Sequence, residues 1–193
     1  MIAVIFGIQG SGKSSVVQEI IKKRPNFERF YWGGFSTDLA IKNGLVDNID
    51  EIRALPVQVQ KKLQLTALKE IQKIVEQNKD KNFIIETHAA LKTLQGYMPG
   101  LTPEILNKLK PELFVVIETN AKDIYQRRIN DTTRNRRHDK SIEEVQLNID
   151  ATRWFASNYT ISSDATLMIV DNTEGNMEKA VDEIIASLDL YTK

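Results

Sequence analysis

The chain begins with a glycine-rich phosphate-binding loop, and no other feature of the sequence constrains the fold as strongly. Residues 7–14 read Gly-Ile-Gln-Gly-Ser-Gly-Lys-Ser, a full match to the pattern G-x-x-x-x-G-K-[ST]. The apolar run Ile2–Phe6 before the loop has strand character, and the apolar residues after it, up to Ile21, recur at helical spacing. A strand, a glycine turn and a helix N-terminus in this order predict an anion cradle formed by backbone N–H groups and the helix dipole.

This cradle predicts a site for the phosphates of a nucleoside triphosphate. We expect the Lys13 ammonium to contact the terminal phosphates and the Ser14 hydroxyl to bind Mg²⁺. The residues predicted to bind ATP are Gly7, Ile8, Gln9, Gly10, Ser11, Gly12, Lys13, Ser14 and Ser15.

Composition and charge exclude several other classes of protein. The 193 residues are enough for one domain with a substantial core, and the formal net charge of zero gives no global attraction to nucleic acid or membrane. The absence of cysteine excludes disulfides and cysteine-ligated zinc. No stretch approaches the roughly 20 apolar residues of a membrane span. We therefore expect a cytoplasmic protein without membrane or nucleic-acid partners.

Strand-like runs alternate with helical patterns along the whole chain, which predicts an α/β fold with a parallel sheet covered by helices on both faces. The runs are Ile2–Phe6, Phe27–Tyr31, Phe83–Glu86, Leu113–Glu118 and Thr166–Val170. The helical patterns cover residues 14–24, 36–43, 49–54, 57–78, 121–130, 141–158 and 177–189. Two segments, 32–56 and 87–103, are rich in Gly, Pro and Thr and are predicted to form substrate loops at strand ends.

A cluster of five arginines lies within the eleven residues from Arg127 to Arg137. A solvated basic turn, a nucleic-acid patch and a mobile lid over a phosphate site all fit this composition. No aromatic residues lie between the arginines for base stacking, which disfavours the patch. The fixed fork of arginine suits the charge that spreads over a transferring phosphoryl group, and this chemistry favours the lid.

Two further candidates follow the third strand-like run. Glu86 ends that run, at the place where P-loop enzymes hold Mg²⁺ or its waters, although a carboxylate there can also form a plain salt bridge. His88 is expected to take part in packing or loop hydrogen bonding, with a hydrogen bond near the phosphates as the alternative.

Four segments in this order and spacing resemble the archaeal-type adenylate kinases: 7–15, 86–89, 96–101 and 131–136. The resemblance covers nearly the whole chain. It implies a P-loop nucleoside monophosphate kinase domain over 1–193 with a five-stranded parallel sheet. A substrate-binding insert at about 32–56 and a short, zinc-free lid at about 127–140 are also implied. The implied reaction is the reversible, Mg²⁺-dependent conversion of ATP and AMP into two ADP, and the implied assembly is a homo-oligomer, a trimer in many members.

The resemblance also assigns roles to individual residues. Asp38 and Lys92 occupy the positions where the family generally has arginines for the AMP phosphate, so Arg53 is a possible substitute for the first of these arginines. Gln95 is either an adenine-binding amide or an ordinary loop residue. The implied catalytic residues are Lys13, Arg127, Arg134, Arg136 and Arg153; the substrate-binding residues are Gly33, Arg53, Lys92 and Gln95; the metal-binding residues are Ser14 and Glu86.

Two alternatives to this function stay open at the level of sequence. One is a kinase of the same fold that acts on another nucleoside monophosphate or on a small alcohol. The other is a nucleotide-dependent switch or assembly factor. Guanine-specific switches carry an N-K-x-D motif, whereas residues 78–81 read Asn-Lys-Asp-Lys, and the chain contains no D-x-x-G motif. This difference disfavours the switch.

Overall fold

A computed structural model describes residues 1–93, 95–130 and 141–192, except for the side chains of Asp50 and Arg53. Within these ranges a five-stranded parallel sheet has the order β2-β3-β1-β6-β7, and a separate antiparallel pair is formed by β4 and β5. The strands are β1 (Ile2–Phe6), β2 (Phe27–Tyr31), β3 (Asn82–Glu86), β4 (Ala90–Thr93), β5 (Gly96–Pro99), β6 (Leu113–Glu118) and β7 (Thr166–Asp171). The predicted α/β fold with its parallel sheet is therefore confirmed.

Helices cover both faces of this sheet and bury its apolar central strands β1, β3 and β6. Helices α1 and α7 pack on one face, and α3, α4 and α6 pack on the other. No described helix combines the length and apolar character needed to cross a membrane. The helices are α1 (Lys13–Lys23), α2 (Trp32–Lys42), a 3-10 helix (Ile49–Ala54), α3 (Val57–Gln77), α4 (Pro103–Leu109), α5 (Ala121–Asn130), α6 (Ile142–Ser163) and α7 (Met177–Tyr191).

The first predicted substrate loop is more helical than the sequence suggested. Helix α2 begins at Trp32, four residues before the predicted start, and therefore includes Gly33 and Gly34. Two adjacent glycines disfavour a helix by about 1 kcal/mol each relative to alanine. Here the Trp32 side chain is buried in the core cluster that includes Leu68 and Ile71 of α3, and this burial outweighs the local preference.

The second predicted loop, residues 87–103, is also more regular than expected. It forms the β4–β5 hairpin, whose base is closed by a hydrogen bond of 2.8 Å from the Gly100 N–H to the Ala89 carbonyl. The backbone approaches so closely here that a Cβ on Gly100 would lie 1.7 Å from the His88 carbonyl oxygen. The hairpin is followed by α4, a helix that the sequence reasoning missed although Thr102 and Pro103 provide an N-cap and a proline at the helix start.

Candidate active site

The phosphate-binding loop connects the end of β1 to the start of α1 at the carboxyl edge of the sheet. Gly12 has φ +82°, and a Cβ at this position would lie 2.3 Å from the Asn172 amide nitrogen. That same nitrogen donates a hydrogen bond of 2.8 Å to the Ser11 carbonyl. The glycine is therefore required both by the left-handed backbone and by an amide that reaches the loop from the end of β7.

Three more side chains donate to carbonyl oxygens of the loop. Arg127 donates from Nη1 to the Gly10 carbonyl at 3.1 Å, and Arg128 donates from Nε to the Gln9 carbonyl at 2.9 Å. His88 Nδ1 lies 2.9 Å from the Gly7 carbonyl oxygen. Because a carbonyl oxygen can only accept a hydrogen bond, Nδ1 must carry the proton. The structure thus favours loop hydrogen bonding for His88, and it adds Arg128 and Asn172, which were absent from the predicted set.

Glu86 lies at the centre of a charged cluster beneath the loop. Its side chain is completely buried, and Oε1 accepts a hydrogen bond of 2.5 Å from Ser14 Oγ while lying 3.3 Å from Lys13 Nζ. Oε2 accepts a bond of 2.9 Å from Arg29 Nε and a second bond from Arg29 Nη2. Arg29 was not predicted because it belongs to β2, and only the order β2-β3-β1 places it beside Glu86.

The electrostatics of this cluster keep the carboxylate ionised. Burial alone would raise the pKa of Glu86, but Lys13, the Ser14 hydrogen bond and Arg29 outweigh burial and hold the pKa below its usual value. Burial lowers the pKa of Lys13, while Glu86 opposes that shift. The cluster therefore combines a fully buried, negatively charged carboxylate with two cations, of which Arg29 is 31% exposed.

The oxygen donors at this point fit a magnesium ion. The Ser14 hydroxyl gives its one proton to Glu86, so its lone pairs stay available to a cation. Mg²⁺ binds through one or two protein oxygens together with substrate phosphates and water. In the described part of the chain no three His, Asp or Glu side chains group into a self-sufficient metal site. A metal bound here would take its remaining ligands from the nucleotide and from water.

A cavity of about 530 Å³ extends from the phosphate-binding loop to the β4–β5 hairpin and to α2 and α3. This volume is typical of small-molecule sites. Within the described residues, the charged side chains that line it are all basic, and no carboxylate faces it. Those side chains are Lys13, Lys92, Arg127 and Arg128.

Other residues of the lining have a different chemistry. Apolar side chains such as Leu63 and the buried Trp32 line the cavity together with the amides of Gln60, Gln64 and Asn148. Apolar side chains with a few amides suit a heterocyclic base, whereas the four cations suit phosphates. The lining thus contains groups suited to both parts of a nucleotide.

The residues predicted for the acceptor substrate are only partly brought together. Gly33 and Lys92 line the cavity, and Lys92 Nζ lies 3.6 Å from a Glu144 carboxylate oxygen. Gln95 is exposed at the turn of the hairpin and does not line the cavity. Asp38 is also exposed and absent from the lining, so its carboxylate does not oppose an acceptor phosphate.

The predicted catalytic arginines also differ in position. Arg127 lines the cavity, whereas Arg153 does not and pairs instead with Glu118 at the end of β6, with 2.6 Å between Nε and Oε1. Arg134, Arg136 and the Arg53 side chain lie outside the described residues. The structure thus gathers Lys13, Ser14, Glu86 and Arg127 and leaves Arg153 apart.

Comparisons with known proteins agree with this geometry. A protein-family model described as an AAA domain matches residues 6–146. The chain is 36% identical over 188 residues to the adenylate kinase of Methanothermobacter thermautotrophicus, covering 97% of this chain and 99% of that protein. It is 36% identical over 191 residues to the adenylate kinase of Pyrococcus furiosus, covering 98% of this chain and 95% of that protein. The crystal structure of shikimate kinase from Aquifex aeolicus is similar in fold, with a TM-score of 0.59 and 19% identity. The match covers 100% of this chain and 98% of that chain.

Proposed function

Because the chain belongs to the adenylate kinase family, we propose that it transfers the γ-phosphoryl group of ATP to AMP reversibly, giving two ADP. The observation that carries the proposal is the cavity, which joins the phosphate-binding loop to a second basic group, Lys92, without a carboxylate among its described lining residues. Two phosphate-bearing substrates need this distribution of charge, because their reacting phosphates must approach each other despite their repulsion.

The proposed mechanism depends on positioning and electrostatics. The acceptor phosphate is already an anionic nucleophile, so the protein needs no general base. Lys13 and Arg127 neutralise charge on the transferring group, and Lys92 holds the acceptor phosphate. A Mg²⁺ ion held through Ser14 and near Glu86 would supply further charge neutralisation at the phosphate oxygens. Lys13, Ser14 and Arg29 hold the pKa of Glu86 below its usual value, which favours the ionised carboxylate that a Mg²⁺ ion would need.

Other parts of the proposal rest on the family resemblance. We propose that the whole chain is one nucleoside monophosphate kinase domain, with residues 32–56 as its substrate-binding insert and 127–140 as its lid. Arg134 and Arg136 are proposed to act from that lid. Arg153 must leave Glu118 before it can approach a phosphate. A cytoplasmic location and a homo-oligomeric state complete the proposal, and light scattering on purified protein tests the oligomer.

The test is turnover with a panel of acceptors. ADP formation from ATP is measured with AMP, CMP, UMP, GMP and small alcohols as acceptors, and ATP formation is measured from ADP alone. We expect AMP to be preferred and the reverse reaction to occur. EDTA should stop both reactions and leave the melting temperature of the nucleotide-free protein unchanged. Preference for another monophosphate or an alcohol would replace the proposal with the corresponding kinase, and ATP binding without transfer would favour a switch.

A further inference from the structure

We propose that Arg29 is a positioning residue that fixes the orientation of Glu86 for a nucleotide-bound Mg²⁺ ion. This inference rests on the proposed function only insofar as the chain binds ATP with Mg²⁺. Arg29 does not line the cavity. Of the two residues expected to hold the metal, Ser14 and Glu86, Arg29 forms hydrogen bonds to Glu86.

Strand order and register bring Arg29 to this carboxylate. In the parallel pair of β2 and β3, Arg29 lies opposite Ile84 and Tyr31 lies opposite Glu86. Alternate residues of a strand share a face, so Arg29 and Glu86 are diagonal neighbours on one face of the sheet. The Arg29 guanidinium also lies 5.6 Å from the centre of the Tyr31 ring, which limits its freedom. Arg29 is therefore held by the strand, the ring and the carboxylate together.

The two oxygens of Glu86 are divided between two sets of partners. Arg29 donates two hydrogen bonds to Oε2, while Ser14 and Lys13 both approach Oε1. The terminal torsion of a glutamate is soft, so a carboxylate without Arg29 can rotate and turn both oxygens toward Lys13. Such a rotation would change the acceptor that orients the Ser14 hydroxyl, the group expected to hold the metal. Arg29 prevents it by occupying Oε2.

Arg24 provides a matched control. Its guanidinium makes the same kind of pair with Asp189, with 2.9 Å from Nε to Oδ1 and 2.6 Å from Nη2 to Oδ2, at the end of α1. Arg24 does not line the cavity and does not contact Glu86. Arg24→Met therefore removes an arginine of similar exposure, 35% against 31%, from an ion pair with a partly exposed carboxylate, without touching the proposed metal site.

The experiment measures ATP affinity by calorimetry with Mg²⁺ and with EDTA, in the absence of AMP. The ratio of the two affinities is the readout. Residues that hold metal-binding groups in place typically contribute about 10- to 100-fold to metal affinity. We therefore expect the ratio of the two affinities to be roughly tenfold or more lower in Arg29→Met than in wild type. The ATP affinity of Arg29→Met in EDTA should stay near that of wild type. The affinity ratio of Arg29→Lys should lie between those of Arg29→Met and wild type, and the ratio of Arg24→Met should equal that of wild type.

An unchanged ratio in folded Arg29→Met, or an equal loss of affinity with and without Mg²⁺, overturns the inference. If circular dichroism shows that Arg29→Met does not fold, Arg29→Gln, which removes the charge and one of the two hydrogen bonds to Oε2, decides, and a ratio equal to wild type in that variant overturns the inference as well. Failure of the wild-type chain to use AMP would refute the proposed reaction while leaving this ratio measurable. The two failures are therefore distinguishable.

Discussion

The two ends of the cavity are built in different ways. At the donor end, consecutive residues from Gly7 to Ser15 form the loop, and distant side chains only support it. At the end proposed for the acceptor, the wall is assembled from separate segments in α2, α3 and the β4–β5 hairpin. If the proposed function holds, donor binding is encoded in one stretch of sequence, whereas acceptor binding depends on several segments brought together by the fold. Substitutions at the two ends should have correspondingly separate effects.

The largest effect is expected at the donor end, from Lys13→Met. Removal of a group that stabilises transition-state charge typically lowers kcat by about 100- to 1,000-fold. The variant should still fold, because Arg29 and Ser14 continue to compensate the buried Glu86. Steady-state kinetics with ATP and AMP, together with a thermal melt, check both expectations. Turnover close to wild type would remove Lys13 from the mechanism.

An intermediate effect is expected at the acceptor end, from Lys92→Ala. Loss of one charged hydrogen bond costs about 1.5–3 kcal/mol, so the KM for AMP should rise roughly tenfold to a hundredfold. The KM for ATP should change little, and Lys92→Arg should preserve AMP use. Initial rates with each substrate varied in turn measure the two constants. A defect confined to ATP would show that the two ends have been assigned in reverse.

Glu144→Gln is the control for Lys92, because these two side chains form an ion pair. If Lys92 acted only by holding α6 through Glu144, the control would raise the KM for AMP as much as Lys92→Ala does. If Lys92 binds the acceptor phosphate, loss of the competing carboxylate should leave this KM unchanged or lower it.

The smallest effect is expected from Asp38→Asn. Asp38 is exposed and does not line the cavity, and surface substitutions usually change free energies by less than about 0.5 kcal/mol. The KM for AMP should therefore stay within about twofold of wild type. A sharp improvement in AMP use would show that Asp38 faces the acceptor and that the natural acceptor carries less negative charge than AMP.

The difference between local sequence patterns and tertiary packing also explains which structural features could be predicted from the sequence. The loop and the five strands of the parallel sheet depend on local patterns, and the structure has them within one residue of the predicted bounds, with Glu86 at the end of β3, whereas strands β4 and β5 were not predicted. Arg29 was missed because its contact with Glu86 joins residues 57 positions apart and depends on strand order. The early start of α2 was missed because burial of Trp32 overrides the preference of Gly33 and Gly34. Helix α4 was detectable, since its cap and proline are local signals.

The close approach at Gly100 has a consequence for large-scale mutagenesis. In a library of all single substitutions selected for activity, positions 13 and 100 should be equally intolerant, because one needs a charge and the other has no room for a methyl group. A parallel measurement of protein abundance should separate them. Lys13 variants should accumulate as folded, inactive protein, whereas even Gly100→Ala, which brings a carbon within 1.7 Å of the His88 oxygen, should be depleted. Protein abundance would thus separate the positions needed for catalysis from the positions needed for folding among those that do not tolerate substitution.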